Sequence, residues 1–326
     1  MNKIQRMETV LRGERSNGLP VSCWYHFDVD QRRGRAAVDA HMNHLETYDL
    51  DFLKVMNDNG YPYEGLIHDL EDFDRLEVLS GDEPAFADQL ELLDKLASKL
   101  DGRALMSTTL FNAWATLRRL IKPKAKSGPP KMTLTSNPAD DTLTRFLAED
   151  RTRVARAVEI IGKSLANFAR RCIDAGANGV FLSVRDDWVD TDANGTGTYH
   201  EMVRAGDLAI LAAAEKGTLN MLHVCGPAKD FAAFAEYPVH MINWADRSAG
   251  PSLESTTDWV KPTLCGGVDN LTTLPNGTPE QCQAEVADAL RQVGDRVLVI
   301  APGCTFDPGA VPPKNLHAMV EAAHRA

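Results

Sequence analysis

The sequence has no apolar run long enough to span a bilayer. Its first dozen residues alternate apolar and charged side chains at helical spacing, without the continuous apolar stretch of a signal peptide. No internal repeat is visible, and no low-complexity or Ser/Gly segment divides the chain, so a single domain over 1–326 is expected. Positive charge is not in excess: 46 acidic against 35 basic residues give a formal net charge of −11. A surface of that sign repels phosphate backbones, which argues against nucleic acid as the main partner, as the missing span argues against a membrane. Cysteine is sparse, at six in 326 residues. Without secretory features these six read as reduced thiols of a cytoplasmic protein, some available to a metal, rather than as a disulfide framework.

One stretch runs against the acidic balance: Arg118, Arg119, Lys122, Lys124, Lys126 and Lys131, interrupted by Pro123, Pro129 and Pro130. The ordinary reading is a solvated loop. The sharper one is a landing site for an anionic cofactor tail or an acidic partner.

What is present is a regular alternation. Short apolar runs at 20–25, 51–56, 104–109, 179–183, 219–222, 240–243, 263–268 and 297–301 are separated by amphipathic stretches such as 84–100, 150–175, 202–216 and 279–293. Strands separated by helical patterns imply βαβ units and a parallel sheet. Eight such runs suit a closed (β/α)8 barrel, with extra N-terminal helices and long βα loops, better than an open sheet. In a barrel, function sits at the C-terminal ends of the strands. Polar, aromatic and metal-binding types collect at these ends, while the runs themselves are mostly Val, Leu, Ile and Ala.

The strongest feature is His223-Val224-Cys225 at the end of the fifth run, with Cys304 after the last. Residues two apart in a strand share a face, so His223 and Cys225 can both aim into the mouth. One imidazole and two thiolates suit Zn2+, and three protein ligands leave one tetrahedral position open, as in catalytic sites. Taken singly, each residue is also ordinary, since free cysteine often just fills space. Cys23, Cys172, Cys265 and Cys282 have no ligand spacing around them and read as packing residues. Trp24, Tyr25 and His26 are expected to line the mouth, with Asn57, Asp58 and Tyr61 as a polar rim. Asp246, beside Trp244 as a pocket wall, and Asp269 are expected to orient substrate or a ligand histidine; capping of the next helix is the plainer role.

His-x-Cys-Gly, followed by Ile-Asn-Trp-Ala-Asp, Gly-Gly-Val-Asp and Ala-Pro-Gly-Cys, resembles the uroporphyrinogen decarboxylase superfamily, most closely its methyltransferase branch of cobalamin:coenzyme M enzymes. The resemblance runs over nearly the whole chain and is most specific between 219 and 304. It implies a zinc site on His223, Cys225 and Cys304, a small thiol as substrate and a methyl-corrinoid as donor. No Asp-x-His-x-x-Gly sequence is present, so a corrinoid would ride on a separate corrinoid protein or bind free. A methylated folate is another donor left open.

The decarboxylases of that superfamily carry a Met-Arg-Gln-Ala-Gly-Arg loop after the first strand. This chain has Cys-Trp-Tyr-His-Phe-Asp, with Arg32, Arg33 and Arg35 out of the pattern. A porphyrinogen's carboxylates would lack matching arginines. A decarboxylase-type lyase is therefore the alternative, together with a component that binds methyl or thiol groups without turnover. Thiols are nucleophilic only as thiolates, and metal coordination removes the proton at neutral pH. That is the chemical sense of the expected site.

Overall fold

The computed structural model describes residues 1–63, 65–121 and 137–326. The expectation for Lys122, Lys124, Lys126 and Lys131 falls outside these residues. Seven parallel strands form one sheet in sequential order: β1 Phe52–Val55, β2 Leu105–Phe111, β3 Gly179–Val184, β4 Met221–Val224, β5 Met241–Trp244, β6 Thr263–Val268 and β7 Leu298–Pro302. Seven of the eight expected runs are thus strands.

The first expected run, 20–25, is instead extended chain with a single parallel bridge, Val21 to Ile300. Its backbone bonds to the sheet lie at three residues: Pro20 O accepts from Ile300 N–H at 2.8 Å, Ser22 N–H donates to Ile300 O at 3.0 Å, and Val21 O accepts from Asp51 N–H at 2.8 Å. The segment therefore touches β7 on one side and the approach to β1 on the other. Pro20 has no N–H to extend the ladder, and the chain is too short there for a regular pairing.

Period-two alternation sorts each strand between two buried layers. Leu53, Val55, Val180, Leu182, Leu222, Ile242, Leu264 and Ile300 face the surrounding helices. Phe52, Met56, Leu105, Phe181, Met221, Met241, Cys265, Val299 and Ala301 face the inside of the curled sheet, where Trp24, Met7 and Val10 join them. The helix Lys3–Leu11 supplies Met7 and Val10 from below. It begins with a capping box in which Asn2 and Gln5 satisfy each other's backbone N–H groups.

The outer helices follow from spacing. In Arg151–Asp174, Val154, Val158, Ile161, Leu165, Phe168 and Cys172 recur at three and four residues and are buried, and Asp150 caps the start. Pro279–Val293 opens on a Thr278 capping box with Pro at its first position. The expected helical stretch 202–216 is the helix Arg204–Ala213, and a short helix, Thr198–Met202, precedes it across Val203. Among the described residues, no helix is long and apolar enough to cross a membrane.

Candidate metal centre

The sheet brings three chemistry-bearing residues together. His223 is the third residue of β4, and Cys225 follows the strand. Cys304 follows β7. One ligand atom from each lies within 4.8 Å of the others. Cys304 Sγ is 3.4 Å from His223 Nε2. Donor atoms around a tetrahedral zinc stand about 3.6 Å apart, given Zn–N and Zn–S bond lengths of about 2.0 and 2.3 Å. The donor set, its spacing and its chemistry fit that ion.

The orientation of the histidine is set by its neighbour. Asn243 lies opposite His223 in the β4–β5 register, so both face the interior. Its Nδ2 donates to Cys265 O at 2.9 Å and Pro302 O at 3.2 Å. Those two carbonyls fix the amide, leaving Oδ1 to accept from His223 Nδ1–H at 2.6 Å. With its proton on Nδ1, the imidazole presents a bare Nε2 toward Cys304. The Phe181 ring stacks on the imidazole, 5.3 Å between centroids and 25° between planes. Trp24, buried, stands edge-on to Phe181 at 5.3 Å.

The two thiols share protons unequally. The hydrogen bond from Cys225 holds the Cys304 thiol well below its ordinary range, against the opposing effect of burial. Cys225, the donor of that bond, is pushed up by Cys304 and by burial. Burial and mutual repulsion disfavour two thiolates side by side, and a bound cation would offset both. Lys54 reaches the interior from β1. It is buried, sits 4.7 Å from the centre of the Phe181 ring, and is pushed down to about 7 by desolvation, against the opposing pull of Cys304.

The other expected residues divide. Tyr25 is half-buried and packs its ring on Phe306, two residues past Cys304, at 5.4 Å. His26 is exposed and bonds through Nδ1 to Asp58 at 2.7 Å. Asn57 ties the β1 and β2 ends by donating to Thr109 O. Asp246 is buried, accepts from Gly267 N–H at 2.9 Å and is pushed up to about 6 by burial; its Oδ2 has no hydrogen-bond partner.

Two expectations are corrected. Trp244 is not a wall of the mouth. Alternation turns Asn243 inward and Trp244 outward, where it is buried against Phe231 and donates to Pro251 O at 2.8 Å. Asp269 is consumed locally: Oδ1 accepts from Leu271 N–H at 2.7 Å and Oδ2 from the Thr272 hydroxyl at 2.5 Å. It shapes the turn before the helix Thr273–Asn276, whose N-cap is Thr272 and not Asp269. Asn243, Phe181 and Lys54 were missed as site residues. Asn243 had a signal, since it stands two residues after Met241 in a strand beside His223.

The family model described as "Uroporphyrinogen decarboxylase (URO-D)" matches residues 53–326. No curated protein sequence matches the chain. Among solved structures it is similar to a methyltransferase from Methanosarcina mazei, at 15% identity and TM-score 0.73, over 99% of this chain and 98% of that one. Looser likenesses, both at TM-score 0.47, are to a B12-independent methionine synthase from a Shewanella species and a putative one from Listeria monocytogenes. The first has 13% identity over 72% of this chain and 65% of that one; the second has 12% over 98% and 86%. The family match takes in β1 to β7 and all three candidate ligands, and on that ground the chain belongs to the uroporphyrinogen decarboxylase family.

Proposed function

We propose that the chain is a methyltransferase that holds Zn2+ on His223, Cys225 and Cys304 and passes a methyl group to a small thiol. The observation that carries this reading is the meeting of one imidazole, its bare nitrogen facing inward, with two thiols at the ends of parallel strands. When bound, zinc would supply an open position at which a thiol is held as its thiolate. The chain's own groups do the rest. Asn243 keeps the His223 proton on Nδ1, and Phe181 limits rotation of the ring. Lys54 lies on the interior face with its pKa pulled down to about 7 by desolvation, so in its charged form it would favour an anionic sulfur near Cys304. Phe181, Trp24 and Tyr25 keep water from the back of the site.

The methyl donor in this reading is a methyl-corrinoid, free or on a separate protein. The decarboxylase alternative is disfavoured by its arginines. Arg32 Nε donates to Phe27 O at 2.7 Å, and Arg35 pairs with Asp39 on its own helix.

The test is thioether formation from methylcobalamin and a series of small thiols, with zinc-loaded wild type and Cys304→Ala. Wild type is expected to methylate at least one thiol, and the variant to lose about 100-fold or more, the upper part of what loss of a metal-site group costs. A folded variant with full activity would remove the zinc-thiolate reading.

A further inference from the structure

The chain leaving β3 reads Arg185-Asp186-Asp187-Trp188 and runs beside the end of β4, where Cys225 sits. Two of its side chains meet the segment 225–230 in different ways. Asp186, buried, anchors backbone: its carboxylate accepts from Lys229 N–H and from Asp230 N–H, both at 2.9 Å. Cys225 N–H itself donates to Val184 O at 2.9 Å. The loop that carries Cys225 is thus tied down by bonds in which Arg185 takes no part.

Arg185 is held for another purpose. Its Nε and Nη2 donate to the two oxygens of Asp187, both at 2.7 Å. Its guanidinium lies 4.0 Å from the centre of the Trp188 ring, and Arg118, itself paired with Asp140, lies 3.9 Å from the same ring. Against Gly226 the packing is close: a methyl group there would stand 2.8 Å from Arg185 Cζ and Nη2. The residue next to Cys225 must lack a side chain for the guanidinium to sit where it does. Burial works against the charge on Arg185, yet Asp187 raises its pKa above the ordinary value, and the nearby Cys225 sulfur adds to this.

A carboxylate, an indole ring and a bare backbone position therefore fix one cation against the residue that would bind the metal. A thiolate in a half-buried site is costly unless positive charge stands close. We propose that Arg185 is a positioning residue of the metal centre, its guanidinium stabilising Cys225 as the zinc-bound thiolate. This rests on the zinc reading and adds to it a charge from outside the ligand set.

The experiment is competition of the full chain against a chromophoric zinc chelator, for wild type, Arg185→Gln and Asp187→Asn, with metal-free urea midpoints to confirm that each is folded. Arg185→Gln is expected to weaken zinc by about tenfold or more, the range for losing the partner of a metal ligand. Asp187→Asn removes the negative charge that offsets the guanidinium, so its zinc affinity is expected to equal or exceed that of the wild type. A merely structural role gives the other sign, because both substitutions break the same Arg185–Asp187 pair. Unchanged zinc affinity in Arg185→Gln, or any loss of affinity in Asp187→Asn, would overturn the role and leave the zinc site standing. A wild type that binds no zinc would overturn the site and the role together.

Discussion

Replacing Asn243 by Ala separates a metal-orienting role from a merely structural one. The side chain makes three buried hydrogen bonds: one accepted from His223 Nδ1–H and two donated to the carbonyls of Cys265 and Pro302. Its loss leaves those carbonyls without their donor, at about 1–3 kcal/mol for each buried group left unpaired. The metal-free variant should therefore lose about 2–6 kcal/mol of folding stability, read from urea denaturation. The second effect is on zinc. With nothing to hold the Nδ1 proton or the ring orientation, affinity should fall about 10- to 100-fold, the usual cost of removing a metal ligand's hydrogen-bond partner. That corresponds to about 1.4–2.8 kcal/mol. Competition against a chromophoric chelator, under conditions where both proteins are folded, reads it directly. If stability falls as expected but zinc affinity stays within about twofold of wild type, well short of that range, the orienting role is refuted.

Two further outcomes are expected. A methyl group added at Gly303 would meet Ala245 Cα at 2.5 Å, so Gly303→Ala must shift the loop that carries Cys304. Zinc affinity should fall by about tenfold or more with the fold retained; unchanged affinity would show that the loop position is not needed. Asp207 is buried, bonded by the Tyr199 and Tyr237 hydroxyls, and pushed up from 3.8 to about 7, mainly by burial. Between those two values the folded chain holds a proton that the unfolded chain has released, so this group makes stability decline as pH rises through that window. Asp207→Asn should flatten the decline in urea midpoints measured across it, and parallel curves for the two proteins would contradict the assignment.

Much of the architecture was legible because the signals are local. Helices such as Pro84–Leu100 and Pro279–Val293 carry their period and their starts in the sequence, and seven of the apolar runs are strands. That His223, Cys225 and Cys304 meet was legible for the same reason. His223 and Cys225 are two apart at the end of one strand, and Cys304 lies just past the end of another. Less legible was anything that depends on which face of a doubly buried strand points inward. In Met-Ile-Asn-Trp every side chain is buried, so no polar alternation tells that Asn243 turns in and Trp244 turns out. Lys54 was hidden likewise, as a charged residue inside an apolar run. The segment at 20–25 reads as a strand by composition, yet makes only one bridge, because strand pairing depends on neighbours that the segment's own residues do not encode.

Metal content tests the central claim most directly. The full chain, purified without chelator, is analysed for zinc beside Cys225→Ala. About one zinc per chain in the wild type, lost in the variant, is the predicted result for a three-ligand site. No zinc in the wild type, and none taken up on addition, would contradict it.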